Sequence, residues 1–245
     1  MWDWSAFFHY LHNGYLLKGA GVTLALSLAC LAIGLVCGTI AALMRMSANS
    51  LLNKPASFYI WLMRGTPVLV QLIIIYTGLP QLGIRFNVIE SCLLGLGLNE
   101  GAYLAEIIRA GILSVAKGQF DAARSVGMTH AMTMRIIVLP QAMRVIIPPL
   151  GNTFNSLLKT TSLASVISME ELLRRTEVLI QVQFKVLEIF IVAAFYYLVM
   201  TTVWGFIQER LEAHFSRSHA PAKARGVSNG ARAEIEKVLL SHDAQ

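Results

Sequence analysis

The chain has 245 residues, 56% apolar and only 14% charged, with a mean hydropathy of +0.60 and a formal charge of +6. A soluble domain carries roughly 25% charged residues, so too few are present to keep a compact surface wet, and an ordinary soluble enzyme is excluded. Cys30, Cys37 and Cys92 all lie in apolar stretches without a CxxC spacing, which excludes a disulfide framework and a cysteine metal site.

The amino end, MWDWSAFFHYLHNGY, has no basic n-region, and the apolar run after it is longer than the roughly 7–15 residues of a signal h-region. Trp2, Trp4, Phe7, Phe8 and Tyr10 read as an interfacial aromatic segment over 1–19. Residues 19–44, 65–84 and 189–208 contain no Asp, Glu, Lys or Arg, and each run reaches the ~20 apolar residues that a spanning helix requires. The pattern predicts an all-α polytopic membrane protein with five spans, at about 20–44, 56–79, 88–112, 145–168 and 187–208, in a membrane domain of 20–212. The third and fourth spans are less apolar and are expected to face protein or water.

Within the second span, Arg64 precedes Gly65, Thr66 and Pro67. This predicts a break, restarted with Thr66 as cap and Pro67 in the first turn. Such a break faces a cavity or a packed interior, or serves as a hinge at a gate. A charge inside a bilayer costs at least ~2.5–3.5 kcal/mol on insertion scales, which singles out the charges of the third and fourth spans. Glu100 falls near the middle of the third, beside Asn99 and Tyr103, while Glu106 and Arg109 are spaced to pair on one helix face. The fourth carries Asn152, Ser156 and Lys159 at helical spacing, with Thr153, Asn155, Thr160, Thr161 and Ser162 nearby. That stripe faces protein or water. Glu100 and Lys159 either contribute to a solute site or form a buried ion pair.

Between these spans, 113–144 forms a polar loop containing FDAARSVGMTHAMTMRIIVLPQ. A short helix is expected at 119–126, with Asp121 near its start, where the dipole favours a negative charge, and with Ala122 and Ala123 leaving a smooth surface. Gly127 is placed to end it in the left-handed conformation. Thr129 caps a second helix, which Pro140 interrupts. By composition this is a compact knob at the membrane surface or an ordinary loop lying on headgroups. Residues 213–245 turn polar and are expected to form a flexible tail with a possible short terminal helix.

Five spans place the chain ends on opposite sides. With the amino end outside, twelve Lys and Arg fall inside against five outside, or eight against five when residues past 220 are left out. The positive-inside rule therefore puts 113–144 and the carboxyl end in the cytoplasm, and the basic charge sets orientation rather than binding nucleic acid. The dipeptide Gly-Lys is absent, so no Walker A loop exists to bind ATP. There is no HExxH or GxSxG, and the six histidines fall in interfacial, loop or tail positions. No cofactor is expected in this chain.

The 120–141 stretch resembles the EAA loop of binding-protein-dependent ABC import permeases. Asp121 stands for the usual glutamate, followed by Ala122, Ala123, Gly127, Ile137, Leu139 and Pro140. LLKGAGVTLALS, RGTPVLVQL, GLPQLGI, LNEGAYLAEIIRAGI and LPQAMRVIIPPLGNTFNSLLKTTSL are similar to permeases for polar amino acids, and the resemblance covers roughly 10–212. It implies a type I ABC importer permease of a bacterial inner membrane: five transmembrane helices with a cytoplasmic coupling-helix loop. Asp121, Ala122, Ala123, Gly127, Met128 and Thr129 would then engage an ATPase dimer that carries the ATP and Mg. A second permease, identical or homologous, and a solute-binding protein outside would complete the importer. Some permeases of this family bind the amino acid between the third, fourth and fifth spans. That favours a site from Glu100, Tyr103, Asn152, Thr153, Ser156, Lys159, Thr160 and Ser162, beside the gate or hinge read at Arg64, Gly65, Thr66 and Pro67. An ion-driven secondary transporter would need intramembrane carboxylates but no coupling loop, and a membrane scaffold would need no solute site.

Overall fold

The computed structural model describes residues 2–217; the expected tail helix lies outside the described residues. Asp3 caps α1 (Trp4–Leu11), accepting a hydrogen bond from the Ala6 amide at 3.1 Å. Asn13 caps α2 (Gly14–Met46), which therefore begins inside the segment expected to be interfacial. Asn49 caps α3 (Ser50–Gly65), and α4 (Val68–Ile73) continues through a π turn (Ile74–Gly78) and a 3-10 turn (Leu79–Leu82). Asn87 and Glu90 close a capping box on α5 (Val88–Leu113). Then follow α6 (Lys117–Ser125), α7 (His130–Met132), a π turn (Thr133–Val138) and α8 (Leu139–Thr160) with a 3-10 extension (Thr161–Ile167). The last elements are α9 (Leu172–Gln183) and α10 (Val186–Arg217), so 213–217 belong to a helix rather than to a tail.

Packing shows the direction in which each element runs. Cys30 lies against Cys92, Gly34 against Glu100, and Gly38 against Gly101 and Leu104, so α2 and α5 run parallel. Their backbones approach so closely that a Cβ on Gly38 would lie 2.8 Å from the Gly101 carbonyl. Only glycine fits such a contact. Because α2 and α5 run the same way, the chain between them must recross, and α3 with α4 does so as a pair bent by 104°. Gly111 meets Ala142 and Ile146, while Leu96 and Leu157 share a core, which makes α8 antiparallel to α5. Trp204 donates to the Gly151 carbonyl at 2.8 Å and stacks edge-on against Phe154, turning α10 back again.

Among the described residues, five elements thus run along the bundle in alternating directions. Three of them, α2, the 130–167 run and α10, are long and apolar enough to cross a membrane, and the bent pair satisfies that test jointly. The fifth, α5, is long enough at 26 residues but carries Glu90, Glu100, Glu106 and Arg109. It tolerates them by sitting inside, against α2, α3, α4 and α8. Large apolar side chains such as Val36, Ile40, Leu198 and Phe206 cover the outside, as a lipid-facing surface requires.

Three local expectations need correction. Pro140 does not interrupt the chain: α7 runs through the π turn into α8, with Pro140 in the first turn of α8. A proline clashes with the carbonyl four residues back in an α-helix, and the wider π turn ahead of Pro140 relieves that clash. The Asp121 helix begins at Lys117, so Asp121 sits in its middle, away from the dipole's positive end. Thr66 is the C-cap of α3, and Pro67 is an N-cap of α4 without a side-chain bond.

Candidate functional site

The break between α3 and α4 leaves the last carbonyls of α3 without helical partners. Three side chains satisfy them. The Thr66 hydroxyl donates to the Leu62 carbonyl at 2.8 Å, and Gln71 Nε2 donates to the Met63 carbonyl at 3.0 Å and to Thr66 Oγ1 at 2.7 Å. Asn99 Nδ2, from α5, donates to the Met63 carbonyl at 2.9 Å and to Gln71 Oε1 at 3.2 Å. The bend is therefore stapled to α5, and nothing lies within 4 Å of where a Gly65 Cβ would be.

Arg64 lies in the last turn of α3, where the dipole favours a cation. Its guanidinium lies 5.3 Å from the Tyr103 ring centroid, within cation–π range. Its Nη1 is 3.9 Å from Glu106 Oε2. The same oxygen accepts from Arg109 Nη2 at 3.0 Å, and Glu106 Oε1 accepts from Arg45 Nη1 at the end of α2. Three guanidiniums from three helices thus share one carboxylate. The spacing of Glu106 and Arg109 made their pairing legible, whereas Arg45 and Arg64 are too distant in sequence for any local signal.

A cavity of about 590 Å³ opens between these elements, within the 300–1,000 Å³ usual for small-molecule sites. α5 contributes Asn99, Glu100, Tyr103 and Glu106; α8 contributes Asn152, Thr153, Ser156 and Thr160; α3 contributes Arg64. Glu100 is only 9% exposed, and its Oε1 has no hydrogen-bond partner. A buried carboxylate in that condition is costly. Asn152 Oδ1 accepts from Gln208 Nε2 at 3.1 Å, which leaves Nδ2 as its polar atom for the cavity. Thr160 donates to the Ser156 carbonyl at 3.1 Å, so its oxygen remains an acceptor.

Two of the expected residues do not reach this cavity. Lys159 is exposed in the last turn of α8 and does not line it. A cation is favoured at that helix end by the dipole. Among the described residues no ion pair joins it to Glu100. Ser162 lies off the cavity too, its hydroxyl donating to the Lys159 carbonyl at 2.7 Å.

At the 113–144 segment, Gly127 adopts φ +77°, with its amide donating to the Arg124 carbonyl and the Met128 amide to that of Ala123. These bonds close the end of α6. Thr129 caps the next turn, accepting from the Met132 amide at 3.3 Å. Ala123 is buried and anchors the knob, while Asp121, Ala122, Gly127 and Thr129 are exposed and Met128 is half-buried. Val126 is 76% exposed at the tip.

Sequence reading missed Glu171. It is fully buried as the N-cap of α9, accepting from the Leu173 and Arg174 amides at 2.9 and 2.8 Å, from Tyr197 at 2.9 Å and from Thr23 at 3.4 Å. Burial pushes its carboxyl above the usual range, and these hydrogen bonds only partly offset that. One side chain so ties α2, α9 and α10 together.

Residues 34–217 match the family described as the binding-protein-dependent transport system inner membrane component. The chain is 41% identical over 202 residues to the probable amino-acid ABC transporter permease protein YckA of Bacillus subtilis strain 168, covering 82% of this chain and 89% of that one. It is 38% identical over 212 residues to the glutamine transport system permease protein GlnP of Escherichia coli K12, covering 86% and 96%. In the crystal structure of an amino acid ABC transporter with histidines, one chain shares the fold at a TM-score of 0.82 and 39% identity, covering 87% of this chain and 99% of its own.

Proposed function

Because the chain belongs to the family of binding-protein-dependent transport system inner membrane components, we propose that its 590 Å³ cavity is where an amino acid rests during import, with the solute's ammonium on Glu100. The protein is a permease subunit of an amino-acid ABC importer, a multi-pass membrane protein that works with an ATPase, a permease partner and a solute-binding protein. ATP and Mg are handled by the ATPase. A second copy of this chain, or a homologue, lines the other half of the pathway.

The 113–144 knob is the element that engages the ATPase. Its exposed Asp121, Ala122, Gly127 and Val126, around the buried Ala123, support this reading. The positive-inside count supports placing it in the cytoplasm with the carboxyl end, and the amino end outside. Drawing the two ATPases together on ATP binding pulls these knobs inward and opens the cavity outward; hydrolysis resets it.

The observation that carries the solute site is Glu100, a buried carboxylate that lines the cavity and has one oxygen, Oε1, without a hydrogen-bond partner. An ammonium there restores the missing partner, and a charge-assisted hydrogen bond in a low-dielectric site is strong. Asn152, Ser156 and Thr160 offer neutral groups opposite. Among the described residues of the cavity wall, Glu100 is the one carboxylate free of arginines, which suits a solute with one ammonium over a strongly dicationic one. Glu100→Gln keeps the shape and removes the charge. Reconstituted with its partners, this variant should assemble but lose about tenfold or more in substrate transport. Normal transport by Glu100→Gln would overturn the site.

A further inference from the structure

A zwitterionic solute held by Glu100 also presents a carboxylate, and Lys159 lies outside the cavity. Arg64 is the one cationic side chain among the described residues that line it. Resting on the reading of this cavity as the solute site, we propose that Arg64 receives the carboxylate of the transported amino acid and is held in reserve for it by Glu106.

Three observations carry this. First, Glu106 does not depend on Arg64. Each of its oxygens already has a closer guanidinium, Arg109 on Oε2 and Arg45 on Oε1, while Arg64 stands 3.9 Å off. Arg64 is therefore the surplus cation of the cluster, and its side chain is the most exposed of the three, 43% against 31% for each of the others. Second, it is aimed. The Tyr103 ring faces its guanidinium at 5.3 Å, and the nearest carboxylate, Glu106, stands 3.9 Å from its N–H edge, so the edge is open to a carboxylate that pairs with it bidentately. Third, the spacing fits. Tyr103 lies one turn along α5 from Glu100, a rise of about 4.5 Å, and an α-amino acid carries its ammonium and carboxylate on a single carbon. A solute gripped at both ends thus bridges α5 to the apex of the α3–α4 bend, since Arg64 directly precedes Gly65, Thr66 and Pro67. Loading the site would draw Arg64 from Glu106 and act on that bend.

The test uses the assembled permease–ATPase complex in nanodiscs without binding protein, with L-glutamine, L-histidine and L-arginine as probes, each beside its α-carboxamide. Each amino acid that binds should protect a cysteine placed at Val68, which lines the cavity without offering it a polar side-chain group, from maleimide and outcompete its amide. Arg64→Gln should lower amino-acid affinity about tenfold or more and abolish the preference for acid over amide, whereas Arg64→Lys should keep part of that preference. The restored preference separates loss of the receptor from loss of fold. If Arg64→Gln still prefers acid over amide, or Arg64→Lys restores none of the preference, the assignment of Arg64 falls and the cavity stands. If no amino acid protects the cysteine, the cavity is not the solute site and both readings fall.

Discussion

Glu171 and Gly127 are single residues whose roles rest on different physics. Burial outweighs the hydrogen bonds at Glu171, raising its carboxyl above the usual range. A raised pKa means that its contribution to stability is fully present below the ordinary carboxylate pKa and is lost as pH rises through the raised value. The wild type should therefore melt higher in detergent near about pH 5 than near about pH 8, and Glu171→Gln should flatten that difference. The amide keeps one acceptor oxygen, enough for the Leu173 amide and Tyr197 but not for the Arg174 amide, whereas Glu171→Ala strands both α9 amides and Tyr197, a further loss of about 1–3 kcal/mol. Equal losses in the two variants, or an unchanged pH slope in Glu171→Gln, would refute this account. At Gly127 nothing lies within 4 Å of where a Cβ would stand, so only the φ of +77° resists a side chain. Gly127→Val should cost roughly 1–2 kcal/mol locally and weaken pull-down of the ATPase, while Gly127→Asn, which tolerates this conformation, should bind nearly normally. Identical behaviour of the two variants would show that the turn geometry is irrelevant to coupling.

Between elements, the α2–α5 contact is the tightest test of the bundle. A Cβ at Gly38 would meet the Gly101 carbonyl at 2.8 Å and Leu104 Cβ at 2.9 Å, while at Gly21 on the same helix it would meet nothing within 4 Å. Gly38→Val should therefore destabilise the subunit by about 1–3 kcal/mol through overpacking and lower its melting temperature. Gly21→Val should leave the melting temperature unchanged. Similar shifts in both would mean that helix propensity, not the close approach, dominates. The elements also show where local signals mislead. The 130–141 stretch reads as a helix stopped by Pro140, yet the π turn at Thr133–Val138 carries the chain through it. No propensity encodes that turn; it depends on Thr133 and Val138 being buried, Val138 in a core with Ile112 and Ala142.

For the whole molecule, the five-span reading puts Ser114 and Val182 on opposite sides of the membrane. Ser114 follows α5, and Val182, 66% exposed, lies near the end of α9. In a background lacking the native cysteines, Val182→Cys should label with an impermeant maleimide from outside intact cells. Ser114→Cys should label only after permeabilisation. Labelling of both from outside would overturn the five-crossing arrangement and the orientation drawn from the basic residues.

The sequence by itself determined the membrane class, the broken second span, the left-handed turn at Gly127 and the cap at Thr129. Each depends on composition or on neighbours a few residues apart: charge-free runs, a Gly-Thr-Pro break, a glycine followed by a capping threonine. Tertiary structure decided the rest. Lys159 and Asn152 share a helical stripe, but Asn152 lines the cavity while Lys159 is exposed, although Thr160 beside it lines the cavity. Arg64, Tyr103 and Glu106 converge because side chains of Gln71 and Asn99 staple the α3–α4 bend against α5. Glu171 reads as an ordinary surface glutamate until Thr23 and Tyr197, 148 and 26 residues away, close around it. Helical periodicity marks faces within one element; which faces meet depends on how closely the helices can approach, and so on the glycines of α2 and α5.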